Sequence, residues 1–161
     1  MPSTYESIAT NTLGTATSTI TFSSIPSSWT DLRVVLSSKA NSTVAVVFRF
    51  NSDTATNYSK TTLYYGPAGL RQINQTSIVS WNSLLSGNWQ SRMYDIFSYA
   101  GSQFKTLLFS ENASESASVG GVSRAVGMWR STAAITSITI STSSSTFAVG
   151  TIATLYGIKA A

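Results

Sequence analysis

Apolar and polar residues alternate along most of this chain with a period of two, the spacing of half-buried β-strands. In "DLRVVLS" (31–37), Leu32, Val34 and Leu36 fall on one face while Asp31 and Arg33 fall on the other. "TVAVVFRF" (43–50) repeats the pattern with Val44, Val46, Phe48 and Phe50, and "STITF" does so with Ile20 and Phe22. Further strands are predicted at 58–65, 72–80, 89–98, 103–110, 119–130, 135–142 and 151–159, about ten in all. Turn residues separate them in "SIPSSW", "GPAGL", "YAGS" and "TSSSTF". Helical periodicity is absent beyond a few residues. The pattern predicts a single all-β domain over 1–161, built as a sandwich of two packed antiparallel sheets, with 1–16 as an extended N-terminal arm.

One feature exceeds a plain sandwich. Val35, Val47, Leu107 and Phe109 are assigned to the outer faces of their strands, where a monomer usually carries polar residues. Apolar residues so placed mark association. They are read as interface candidates.

Composition narrows the chemistry. The chain has no histidine and no cysteine, so it holds neither an imidazole relay of the Ser/His/Asp type nor a thiolate metal site. Charged residues make up only 10%, whereas 30 serines and 22 threonines supply the polar surface. Hydrophobic residues at 42% argue for a folded core. The net charge is +4, but the ten basic residues are scattered and form no stripe, so no nucleic-acid partner is predicted. No apolar run reaches the ~20 residues of a membrane helix, and "MPSTYESIATNTLG" does not read as a signal peptide. No membrane partner and no cofactor are expected.

Candidate sites are few. "RFNSDTATNYS" (49–59) places Asn51, Asp53 and Asn57 close together and is the weak candidate for a metal. Calcium prefers six to eight oxygens with several carboxylates. With one carboxylate here, the loop reads as a strand corner whose Asn and Asp side chains bond nearby backbone. Of the six acids, Glu111 and Glu115 lie in "SENASES", read as a flexible loop with solvated carboxylates. Asp95 is read as a structural anchor for Arg92 or Arg124. A hydrolase pairing Asp95 with Glu111 is the contrasting enzymatic reading, and the chain is taken as non-enzymatic. Trp81 and Trp89, bracketing "WNSLLSGNW", and Tyr64 are the residues on which a host glycan would stack.

The whole chain also resembles a known class. "STYESIATNTLG", "FRFNSDTATNYS", "DIFSYAGSQFKTLL", "AVGMWRSTAAITSITI" and the closing "TIATLYGIKAA" are similar to small virion proteins of tailed bacteriophages. The resemblance implies a jelly-roll-like β-sandwich, of about 8–10 strands here, on the phage particle. It implies two places: a capsid decoration (cement) protein on the major capsid protein lattice, or a tail fibre or spike module recognising host glycans. The expectation is a decoration protein, a homotrimer binding the major capsid protein or other virion proteins and assembled in the host cytoplasm. No catalytic residues come with the resemblance.

Overall fold

A computed structural model describes residues 5–64, 70–112 and 122–159, and the side chains of Tyr64 and Asn112 lie outside that description. The described residues form β-strands and no helix. The strands are β1 (Tyr5–Thr12), β2 (Thr19–Phe22), β3 (Asp31–Ser38), β4 (Val46–Phe50), β5 (Tyr58–Tyr64) and β6 (Leu70–Gln75). They continue with β7 (Ile78–Val79), β8 (Gln90–Phe97), β9 (Lys105–Asn112), β10 (Val122–Trp129), β11 (Ile138–Thr142) and β12 (Ile152–Ile158).

Two antiparallel sheets face each other. The larger runs β1-β12-β3-β8-β9-β10-β5-β6, and the smaller runs β2-β11-β4-β7. Four pairs are nested: β1 with β12, β2 with β11, β3 with β8, and β4 with β7. That nesting, with each pair's strands lying inside the previous pair along the chain, is the jelly-roll connection. The remaining strands are insertions. β5 and β6 enter between β4 and β7, β9 and β10 enter between β8 and β11, and both pairs widen the larger sheet alone. The sandwich is therefore lopsided, eight strands against four.

The described strands outnumber the expected 8–10, for two local reasons. The expected strand 72–80 is two strands in different sheets, because the chain crosses between layers at 76–77. The expected arm contains β1, an exposed edge strand paired with β12.

Alternation decides what faces inward. In β3 and β8 every second residue is buried, including Leu32, Val34, Leu36, Tyr94 and Ile96. An aromatic ladder joins the layers. Phe109 stacks on Tyr94 (5.5 Å between centroids), Tyr94 on Phe48 (4.6 Å), and Phe48 meets Phe50 edge-on (5.4 Å). Phe50 then meets Trp129 at 5.5 Å, back on the larger sheet. Each such pair adds about 0.5–1.5 kcal/mol to the hydrophobic gain of burying its rings.

At the other side of the sheet Trp29 lies flat on Gly157, with the Lys159 ammonium 4.9 Å from its ring centroid. A Cβ at position 157 would sit 2.1 Å from the indole. Gly157→Ala should therefore displace Trp29 and cost about 1–3 kcal/mol by overpacking, read in urea melts followed by tryptophan emission. Far-UV circular dichroism should show a β spectrum; more than a quarter helix would be incompatible with this fold.

Candidate functional site: a corner, a buried clasp and a bare sheet face

The loop 51–57 is a corner between the sheets. Asn51 and Ser52 both have positive φ (49° and 56°), and the Asp53 N–H donates to the Phe50 carbonyl at 2.8 Å. Left-handed residues at both central positions are the mark of a type I′ turn, and asparagine tolerates that region well. The side-chain oxygens of Asp53 and Asn51 are occupied by protein donors. Asp53 accepts from the Ala55 N–H (2.8 Å), the Asn57 amide (2.9 Å) and the Trp129 indole N–H (2.6 Å). The Asn51 carbonyl accepts from the N–H groups of Thr136 (2.9 Å) and Ser137 (3.1 Å), tying the corner to the chain entering β11. The three residues offered as metal candidates thus serve the corner.

Burial raises the Asp53 carboxyl pKa, but the hydrogen bonds from Asn57, Trp129 and Ala55 together outweigh it, leaving the group below the ordinary aspartate value. Buried Tyr58, whose hydroxyl shares the corner with the Phe50 and Asp53 carbonyls, is pushed up to about 12 chiefly by desolvation.

The acids and bases are placed differently from expectation. Glu111 is not a solvated loop residue: it lies on the inner face of β9 and is fully buried. One of its carboxylate oxygens accepts from the N–H groups of Trp81 and Asn82 (3.1 Å each) and from the Ser123 hydroxyl (3.0 Å). Arg92, directly opposite on β8 and 1% exposed, donates to the Asn82 carbonyl at 2.6 Å. Lys60, also buried, donates to the Val79 carbonyl, and burial lowers its pKa while Glu111 partly restores it. These three charged side chains clasp residues 79–82. Lys105, likewise buried, donates to the Gly101 and Gln103 carbonyls at 2.5 Å each. The ten scattered basic residues therefore include three, Lys60, Arg92 and Lys105, that are buried in structural roles.

Asp95 does anchor an arginine, but the partner is Arg33 at 2.5 Å, its cross-strand neighbour on β3. Asp95 lies on the outer face of the larger sheet and Glu111 on the inner face, so the two cannot flank one bond. This splits the contrasting hydrolase pair.

Among the interface candidates, Leu107 and Phe109 prove to be core residues, 0% and 1% exposed. Their parity on β9 is shared with Lys105 and Glu111, charges that would ordinarily point to solvent and here point inward. Val47 is buried on β4, while Val35 is half-buried on the outer face of β3. Trp81 and Trp89 are exposed, at 39% and 41%. Lys39 lies 5.5 Å from the Trp89 ring centroid. The side chain of Tyr64 is outside the described residues.

The apolar outer surface lies beside the expected positions. Strand register sets one transverse row on the larger sheet as Tyr156, Arg33, Asp95, Leu108, Val126, Thr61 and Arg71. The next row runs Thr154, Val35, Met93, Ser110, Arg124 and Leu63. The β1–β12–β3 half of the face covers itself: Tyr5 stacks on Tyr156 at 4.6 Å, and Arg33 reaches both Asp95 and the Tyr5 ring. The β9–β10–β5 half is bare. Leu63 and Val122 are each 67% exposed, Val126 is 50% and Met128 is 37%. Comparison with known protein families, with curated proteins and with solved structures finds no match to this chain.

Two outcomes test this geometry. Asp53→Ala should cost about 1–3 kcal/mol, because it strands the buried Trp129 N–H, and melts with calcium or with chelator should coincide. Since the folded Asp53 pKa is depressed, its contribution is present above the unfolded value near ~3.9 and is lost as pH falls through the lower folded value. Asp53→Asn should flatten that acid limb. Glu111→Ala should cost about 3 kcal/mol, because it strands the Trp81 and Asn82 N–H groups and the Ser123 hydroxyl and removes the anion acting on buried Lys60, and faster amide exchange at Trp81 and Asn82 would locate the damage in the clasp.

Proposed function

We propose that this protein is a non-enzymatic structural component of a bacteriophage virion, a decoration protein that binds the major capsid protein lattice and stabilises the head. The bare half of the outer sheet face carries this reading. Two inserted strand pairs widen one sheet, and the added strands β5, β9 and β10 display Leu63, Leu108, Val122 and Val126 outward. A monomer gains nothing in stability from apolar residues left in water, whereas an assembly buries them. The jelly-roll connection and the resemblance of the chain to small virion proteins agree with this reading. A homotrimer is the favoured form, since closed symmetric rings are a common way to present several copies of one docking face.

A second reading rests on Trp81 and Trp89, whose exposed rings bracket residues 82–88. It makes the protein a tail fibre or spike module whose tryptophans stack host surface glycans.

Copy number per particle separates the two. Densitometry of purified virions should give copies on the order of hundreds, scaling with the capsid lattice, against on the order of tens for a fibre. Loss of host adsorption in a Trp81→Ala, Trp89→Ala variant with full incorporation would favour the second.

A further inference from the structure

Arg124 stands in the middle of the bare face. It is exposed and makes no ion pair or hydrogen bond among the described residues. Two shallow depressions adjoin it. One, of about 280 Å³, is floored by Leu63, Leu108 and Val126, and the other, of about 320 Å³, by Val35, Met93 and Ser110. Since neighbouring strands lie ~4.8 Å apart, a trough from β3 to β5 crosses four intervals and spans roughly 19 Å. Its lining is mostly apolar, with Ser91 and Ser110 among the apolar side chains, and Arg124 lies where the two depressions meet.

We propose that this trough docks a different protein, through a segment that places a carboxylate between two apolar side chains. This deepens the virion reading, on which the identity of that protein as a capsid subunit rests, but the chemistry of the contact stands separately. Arg124 would hold the carboxylate bidentately, and the depressions on either side would take the flanking side chains. The surrounding charges support the assignment. Arg71 ends the adjacent row, Asp95 is neutralised by Arg33, and Asp31 accepts from the Ser98 N–H at 2.7 Å. Asp31 keeps its charge but stands at the start of β3, so among the described residues the trough itself carries Arg124 with no carboxylate paired to it.

A second copy of this chain is a poor occupant. Face-to-face pairing about a twofold axis repeats the same patch on both sides and brings two Arg124 side chains together, with no carboxylate of the described residues lining either trough. Like-charge juxtaposition opposes such a pair. Any contacts between copies must use other surfaces.

The test uses the full chain with methyl-labelled leucine and valine, titrated with a heptapeptide carrying one Glu between two Leu residues, and with its Lys counterpart. The Glu peptide should give saturable shifts at Leu63, Leu108 and Val126, the Lys peptide none, and Arg124→Glu should weaken binding by at least about tenfold. Arg124→Lys, which keeps the charge but not the fork, should fall between. Absence of saturable shifts up to millimolar peptide, or shifts unaffected by Arg124→Glu, would overturn the proposal. So would light scattering showing an oligomer that Val126→Asp dissociates, because the occupant would then be a second copy. The virion reading fails separately. If the wild-type protein is absent from particles, that reading falls while the peptide result stands; if Arg124→Glu incorporates as well as wild type, only the docking inference falls.

Discussion

A single buried carboxylate organises one end of this sandwich. Glu111 sits where the smaller sheet runs out: β7 is two residues long and pairs with β4 only through Val79 and Ile78. Beyond that point one bond to β4 remains, from the Ser80 N–H to the Val46 carbonyl at 2.7 Å, and the peptide groups of 81–82 have no strand beside them. A buried peptide group left unpaired costs about as much as a lost hydrogen bond, and here side chains of the opposite sheet take the place of a strand. Glu111 accepts the N–H groups of Trp81 and Asn82, Arg92 donates to the Asn82 carbonyl, and Lys60 donates to that of Val79. Charged groups in a core are costly to desolvate, and that cost is tolerated when each is hydrogen-bonded and of mixed sign. The clasp has mixed sign, one anion between two cations, and each member makes at least one hydrogen bond to the strap, while Arg92 Nε and Nη1 and the second Glu111 oxygen make none.

This clasp also explains how a small sheet can cover a large one. Four strands cannot shield the inner face of eight. The segments between strands must therefore close the core, and their peptide groups need partners within it. The same logic recurs at Lys105, whose ammonium gathers the carbonyls of Gly101 and Gln103. At the opposite side, Trp29 packs over Gly157, filling with an indole the space where a strand side chain would stand. The corner 51–57 closes the core through Asp53 and the Trp129 N–H. Five of the chain's sixteen charged residues, Asp53, Lys60, Arg92, Lys105 and Glu111, are thereby committed to loops and strand crossings.

Arg33, Asp95, Tyr5 and Tyr156 cover the half of the larger sheet that belongs to the nested jelly-roll strands. The inserted strands leave the other half apolar, around Arg124. An enlarged sheet with one self-covered half and one bare half is suited to association on the bare side, which joins the fold to the proposed structural role.

The fold class was legible in the sequence because burial imposes a period of two on most of the strands. Leu32, Val34 and Leu36, or Val46, Phe48 and Phe50, can be assigned to a core without knowing their partners. The corner was legible too, since Asn and Asp at 51, 53 and 57 are residues that bond their own neighbourhood, and local chemistry is written locally. The phase of β9 was not. "KTLLFSEN" has apolar residues at both parities, and its terminal charges suggest the wrong face; only the strap arriving from 79–82 turns Glu111 into a core residue. Nor was Arg33 identifiable as the partner of Asp95, because strand order and register bring together positions 62 residues apart. Sequence by itself determined that this chain alternates into a β-sandwich with little free charge. Which face carries the remaining apolar surface was decided only by tertiary structure, because the pairing of distant strands chooses which side of each strand another layer will cover.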